Sequence, residues 1–367
     1  MLSGEQKSVI LSLVAGAEKE PVQTLGGYAG TGKTTAIKWV KDALKAKGRH
    51  FAVCAYTGKA TNVLRNKGIV ASTIHSLIYR AIKDEEGNTV WWTKDKYDPE
   101  ISGLDGFIVD EASMVSQEVY SDMLSYGKPL IFVGDHGQLE PIGGSKFNLM
   151  KNPMYRLEQV HRNAGEIALF AEHIRKGQPA HKFKAEKQVQ LVQESAIWNE
   201  HLSNVDQVIV AFNRRRVEIN ERVRKFKRLE YSYLAVGEKV ICLRNNRSQL
   251  LFNGQQGIVT RISEDGERFD FTSDGIDYYD IIYDPDIFGQ EKPVIEYNSK
   301  TNPFDYAYAI TCHKAQGDEF GSVIVYEQSC DGWDHWRWAY TAASRARRSL
   351  IWVLDPAFQP TFVPSYL

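Results

Sequence analysis

The sequence predicts an α/β fold with parallel sheets. Three observations predict it. Helical and strand-like patterns alternate through the first 150 residues, as a parallel sheet requires. The stretch Gly27-Tyr28-Ala29-Gly30-Thr31-Gly32-Lys33-Thr34 stands between an apolar run, Val22 to Gly26, and a helical pattern, Thr35 to Leu44. Two more short apolar runs, Phe107-Ile108-Val109 and Pro129 to Val133, end in acidic or polar residues, where parallel strands deliver functional groups. A chain of 367 residues is long enough for two or three such domains.

Composition narrows the class. Hydrophobic residues make up 43% and charged residues 25%, as in soluble globular proteins. No apolar run approaches the ~18 residues of a membrane span, and Met1 to Gln6 does not read as a signal peptide. Cys54, Cys242, Cys312 and Cys330 are widely spaced, without a C-x-x-C pair. That argues against zinc, an iron–sulfur cluster or a disulfide framework, and for a reducing cytosol. The net charge of −1 gives no global basic signature, so any nucleic-acid site has to come from local grooves.

The elements follow in chain order. Gly27 to Thr34 fits G-x-x-x-x-G-K-[ST] in its strand–loop–helix context. Its glycines let successive N–H groups turn toward one point, an anion nest at a helix N-terminus. Lys33 is expected at the β- and γ-phosphates of a nucleotide, and the Thr34 hydroxyl at Mg²⁺. Phe107 to Ser113 reads as a buried strand ending in two acids: Asp110 as the Mg²⁺ ligand and Glu111 as the base for the attacking water. The strand Pro129 to Val133 runs into Gly134-Asp135-His136-Gly137-Gln138-Leu139-Glu140-Pro141, which puts Gln138 beside the γ-phosphate. Arg162, in Leu157 to Asn163, and Arg345, in Tyr340 to Ala346, supply candidate cations for phosphoryl transfer.

Two segments interrupt the alternation. Leu77 to Lys83 and Thr89 to Lys94 flank Asp84-Glu85-Glu86-Gly87-Asn88, a predicted β-hairpin carrying Trp91 and Trp92. Alternation points the two indoles to opposite sides, so at most one meets a ligand on a given face. Around 229–302, Tyr231 to Leu243, Asn253 to Val259 and Gly266 to Phe271 alternate short β-rich runs with glycine turns.

Taken together, the order of these motifs resembles the superfamily 1 group B helicases of the RecD and Dda type, from Gln6 to about Ile351. The resemblance implies two RecA-like P-loop NTPase motor domains with ATP in the cleft between them. The first spans 1–150, with a small β-hairpin "pin" insertion at about 78–100; the second spans 151–228 and 303–367, with an SH3-like β-barrel insertion at 229–302. Leu2 to Gln6 resembles the Q motif, which puts Gln6 at adenine. Gly27, Ala29, Gly30, Thr31, Gly32, Lys33, Thr34 and Thr35 fall on the nucleotide loop, and Arg162 and Arg345 on the arginine fingers. The resemblance assigns DNA contacts to Thr57 and Lys59 (Ala55 to Thr61), to His75 (Ser72 to Leu77), to Thr311, His313, Lys314 and Gln316 (Ala309 to Gly317), and to Trp91 or Trp92. It implies an ATP- and Mg²⁺-dependent, 5′→3′ DNA helicase: a cytoplasmic monomer of a bacterium or phage-infected cell, acting on single strands and junctions with replication or repair proteins. The short segment after Arg348 leads us to expect no appended nuclease. Two alternatives stay open: a helicase acting on RNA, and a P-loop ATPase that binds or tracks nucleic acid without separating strands.

Overall fold

The computed structural model describes residues 2–83, 89–139, 147–160, 165–229, 234–246, 249, 251–295, 300–329 and 333–355, without the side chains of 59 and 81–91. Ser3 opens the first lobe: its hydroxyl accepts from the Gln6 N–H in a capping box for α1 (Gly4–Gly16). There follow β1 (Val22–Gly27), α2 (Lys33–Ala46), β2 (Phe51–Ala55), α3 (Gly58–Asn66), β3 (Ala71–Thr73) and α4 (Ile74–Ile78). After these come β4 (Tyr79–Lys83), β5 (Thr89–Thr93), α5 (Pro99–Ser102), β6 (Gly106–Asp110), α6 (Gln117–Leu124), β7 (Leu130–Gly134) and β8 (Tyr155–Leu157). Six of the strands form a parallel sheet in the order β3-β2-β6-β7-β1-β8. β6 and β7 are buried at every residue, because helices cover both faces of a parallel sheet. β1, β7 and β6 are neighbours, so their carboxyl ends bring the glycine loop, Asp135 and Asp110 to one edge. β4 and β5 pair antiparallel, with Arg80 opposite Trp92.

The second lobe contains α7 (Glu166–Arg175), β9 (Val189–Val192), α8 (Asn199–Asn204), β10 (Gln207–Val210) and α9 (Asn213–Phe226). Next come β11 (Lys239–Cys242), β12 (Gln256–Ile262), β13 (Arg268–Ser273), β14 (Ile276–Ile282) and β15 (Phe304–Tyr306). The chain continues with β16 (Ala309–Thr311), β17 (Phe320–Tyr326), α10 (His335–Ala343) and β18 (Ala346–Val353). A second parallel sheet runs β16-β10-β17-β18-β9. A separate antiparallel sheet runs β14-β13-β12-β11-β15. It shares a core with the second lobe: Val208 and Val223 pack in one cluster with Val240, Phe271 and Phe304. Arg216 and Arg224 of α9 add buried ion pairs to Asp305 and Glu238.

Two expected boundaries shift. Tyr155–Leu157 lies past residue 150 yet is the edge strand of the first sheet, paired with Leu25 to Gly27. The antiparallel sheet takes its last strand from 304–306, past residue 302, because β11 needs a partner on its second edge. No described helix is long and apolar enough to cross a membrane.

Candidate nucleotide cleft and nucleic-acid groove

The cleft starts where β1 ends. Gly30 and Gly32 adopt φ of 78° and 88°, the left-handed region that glycine enters without a Cβ clash. Gly32 is the N-cap of α2 and brings no side-chain cap. The first-turn N–H groups are therefore left for an anion. Gly27 is fixed by space: a Cβ there would lie 2.8 Å from Thr31 Oγ1 and 3.0 Å from Lys33 Cγ. Thr31 is buried and donates to the Tyr28 carbonyl at 2.8 Å, closing the loop from behind. Lys33 Nζ donates to the carbonyls of Gly27 (2.7 Å) and Tyr28 (3.1 Å) and stands 3.6 Å from the Asp135 carboxylate.

A cavity of about 640 Å³ opens in front of this loop. Ala29, Gly30, Gly32, Lys33, Thr34 and Thr35 line one wall, and Asp110, Glu111, Asp135 and Gln138 the floor. Glu319, Arg345 and Arg347 face them from the second lobe. Asp110 is buried and Glu111 half-buried beside it with its Oε2 enclosed, which pushes both carboxyls up. Burial is the main cause; for Glu111 the Asp110 charge adds to it, Arg345 and Lys33 oppose it, and the result is about 7. Glu111 Oε2 and Gln138 Oε1 are buried and accept no hydrogen bond among the described residues. Two like acids and orphaned acceptors on one floor suit a cation brought in with a substrate. No group of three or more His, Cys, Asp or Glu among the described residues could hold a metal by itself. Asp110 and the Thr34 hydroxyl both line this cavity and would suit a hard cation such as Mg²⁺.

Other expected residues sit differently. Gln6 is not among the residues lining the cavity. Its Nε2 donates to the Thr31 carbonyl at 3.0 Å and its Oε1 accepts from the Ser3 N–H, so it props the loop. Arg345 reaches the cavity, but its Nε and two terminal nitrogens donate to Thr341 O, Asp318 O and Ser344 Oγ. Those bonds use three of the five guanidinium donors and fix the fork toward the cleft. Arg162 lies outside the described residues. Sequence reasoning did not single out Asp135, Tyr340 or Glu319. Tyr340 is 1% exposed and bridges the lobes: its hydroxyl accepts from the Ala29 N–H and donates to Asp135 Oδ2, each at 2.6 Å. Both residues stand within motif strings, and only the fold brings them together.

Of the residues expected at nucleic acid, His75 and Lys314 lie against the adjacent residues Phe252 and Asn253, whereas Trp92 stands apart. Thr57 caps α3, accepting from the Ala60 N–H at 3.1 Å; the Lys59 side chain is outside the described atoms. The His75 ring lies among Tyr56, Tyr79 and Phe252, at centroid distances of 5.4 to 5.6 Å. Phe252 comes from the loop before β12 and carried no sequence signal. Thr311 precedes the short turn Cys312–Ala315 and brings no side-chain cap to it. His313 is half-buried, which pushes its imidazole pKa down. Burial also lowers the Lys314 pKa, and its ammonium donates to Asn253 Oδ1. Gln316 Nε2 donates to the Leu139 carbonyl of the first lobe at 2.6 Å. Trp92 is 63% exposed and shares a shallow cavity with Arg80 and Tyr97, while the Trp91 side chain lies outside the described atoms.

Residues 1–196 match the AAA domain family and residues 306–353 the UvrD-like helicase C-terminal domain. The ATP-dependent RecD2 DNA helicase of Deinococcus radiodurans is 27% identical, across 94% of this chain and 48% of its own length. The ATP-dependent DNA helicase dda of Enterobacteria phage T4 is 27% identical, across 48% of this chain and 43% of its own. The chain thus spans less than half the length of these two relatives. The crystal structure of Pif1 helicase from Bacteroides in complex with ADP-AlF3 and ssDNA aligns with all of this chain and 95% of its own, with a TM-score of 0.56 at 19% identity. That likeness establishes the shared fold. From the family match over its residues 1–196, more than half of its length, the chain belongs to the AAA domain family, and its later residues match the UvrD-like helicase C-terminal domain.

Proposed function

We propose that this chain is an ATP-driven motor that holds single-stranded DNA across its two lobes, moves 5′→3′ and unwinds duplex DNA. One observation carries the reading: the glycine loop, the Asp110-Glu111 pair and Arg345 line one cavity contributed by both lobes. A nucleotide bound there touches both lobes, so its hydrolysis changes how they sit together. Lys33 and the N–H groups of the loop bind the phosphates. Asp110 and Thr34 hold Mg²⁺, which neutralises phosphate charge when bound. Glu111 takes the proton of the attacking water, Gln138 contacts the γ-phosphate, and Arg345 and Arg162 stabilise the charge that develops on it.

On the DNA side, Thr57, Lys59, Thr311 and Lys314 take phosphates, while His75 and Phe252 take bases. His313 and Gln316 shape the same groove. We read the β4–β5 pair as a short pin whose Trp92 stacks at the fork, and the antiparallel sheet as an SH3-like barrel. The polarity and the unwinding activity follow the resemblance to RecD-type proteins.

The test is unwinding of duplexes carrying a 5′ tail, a 3′ tail or none, with a parallel ATPase assay using poly(dT) and poly(U). Unwinding of the 5′-tailed duplex alone, with turnover stimulated by poly(dT), is the expected result. Lys33→Ala abolishes both activities and spares most DNA binding. DNA-stimulated turnover in that variant would overturn the assignment of the nucleotide site. Stimulation without unwinding would leave a translocase and remove the pin.

A further inference from the structure

We infer that the Tyr340 hydroxyl couples the terminal phosphate of a bound nucleoside triphosphate to the nucleic-acid groove, as a positioning residue outside the chemistry itself. The inference rests on the ATP-driven motor proposed above.

The geometry is specific. Tyr340 lies on α10, five residues before Arg345, and is 1% exposed. Burial and the neighbouring Asp135 carboxylate keep its phenol protonated, so the group has one proton to give. It gives that proton to Asp135 and accepts the Ala29 N–H, both at 2.6 Å. Asp135 also stands 3.6 Å from Lys33 Nζ. Lys33, Asp135, Tyr340 and Ala29 thus make a chain of contacts that starts and ends on the glycine loop and crosses to the second lobe on the way.

A triphosphate competes for both ends of that chain. Its oxygens are stronger acceptors for Lys33 and for a loop N–H than a carboxylate at 3.6 Å and a neutral phenol. When they take Lys33 and the Ala29 N–H, Tyr340 keeps only Asp135. A fully buried phenol that loses one of two partners has to shift, and α10 shifts with it.

The next residue carries the shift onward. Thr341 Oγ1 accepts from the Leu139 N–H at 2.9 Å, and the Thr341 carbonyl accepts from Arg345 Nε at 3.1 Å. The Leu139 carbonyl accepts from Gln316 Nε2 at 2.6 Å. Movement of α10 therefore reaches both Arg345 in the cleft and Gln316 in the groove through named hydrogen bonds. A diphosphate lacks the terminal oxygens that start the exchange.

A contiguous set of contacts is not yet coupling, so the experiment measures coupling. Binding of a fluorescent oligo(dT) to the full chain is titrated with Mg²⁺ and either a non-hydrolysable ATP analogue or ADP. The wild type is expected to show affinities differing by roughly 5–150-fold between the two nucleotides. Tyr340→Phe keeps the ring and removes the hydroxyl, and is expected to bring that ratio close to one while still binding oligo(dT) and each nucleotide. Thr341→Val cuts the Leu139 link independently and is expected to lower the ratio too. A wild-type ratio retained in Tyr340→Phe overturns the inference and leaves the motor reading intact. A wild type that neither binds oligo(dT) nor shows a ratio overturns both.

Discussion

Glu111 has φ 54° and ψ 42°, a left-handed conformation that costs a non-glycine residue on the order of 1 kcal/mol or more. The turn after β6 holds it there, with its carboxyl lining the cavity and its Oε2 enclosed. Burial first, and Asp110 second, push that carboxyl up to about 7 from an ordinary value of 4.5. The sign for stability follows. Below the lower value both folded and unfolded chains are protonated and Glu111 costs nothing. Between the two values the unfolded chain ionises first, so stability falls as pH rises, and the full penalty is reached above about 7. Glu111→Gln should therefore be more stable than the parent at pH 8 without divalent cations, on the order of 2 kcal/mol, and the gap should close toward pH 4.5. Thermal melts at the two pH values measure it, and a gap of the same size at both would rule out the buried carboxyl as its source. The same variant should lose ~10²–10⁴ in kcat, the usual worth of a general base. The acids and the glycine loop were legible in the sequence because their chemistry is local: residue types at fixed spacing between a strand and a helix. Tyr340 and Asp135 were not, since each reads as an ordinary polar residue until the fold sets them 2.6 Å apart.

The parallel sheets were legible from alternation and apolar runs, and the short edge strands were not. Tyr155–Leu157 and Phe304–Tyr306 have three residues each, too few to show a period, and their pairing with β1 and β11 is decided by which sheet edge lies open. The same holds for the attachment of the antiparallel sheet to α9. Asp305, on β15, faces Arg216 and accepts from the Gly289 and Tyr306 N–H groups at 2.9 and 2.7 Å. Removing one partner of a buried pair strands the other charge. A guanidinium cannot shed its charge, whereas a carboxyl can take a proton and keep its two backbone donors. Asp305→Ala should thus cost about 3–5 kcal/mol, and Arg216→Met less, with both read from urea denaturation. Equal costs would mean that the backbone donors to Asp305 contribute little.

Across the whole molecule, three bodies meet around His75 and Gln316: the first lobe, the second lobe and the antiparallel sheet. Gln316 reaches the Leu139 carbonyl, Lys314 reaches Asn253, and Phe252 sets its ring 5.4 Å from His75. The Asp274 carboxylate, at the β13–β14 turn, lies 3.7 Å from where a Cβ on Gly58 would stand. Glycine-rich sequence around Asn253 to Gly257 reads as a turn, so nothing local marks Phe252 as part of a binding surface. Only closure of the sheet over the first lobe sets the ring beside His75. Stacking on an aromatic side chain is worth ~1–3 kcal/mol per base, so Phe252→Ala should weaken oligo(dT) binding by roughly 5–150-fold. Because a phenyl ring neutralises no phosphate, the salt dependence of binding should keep its slope, in contrast to Lys314→Ala, which should flatten it. Nucleotide affinity should also hold, since Phe252 does not line the cleft. Fluorescence anisotropy across a salt series separates these cases: lost affinity at constant slope places bases against Phe252, whereas unchanged affinity with a lower melting temperature assigns the ring to packing between the sheet and the first lobe.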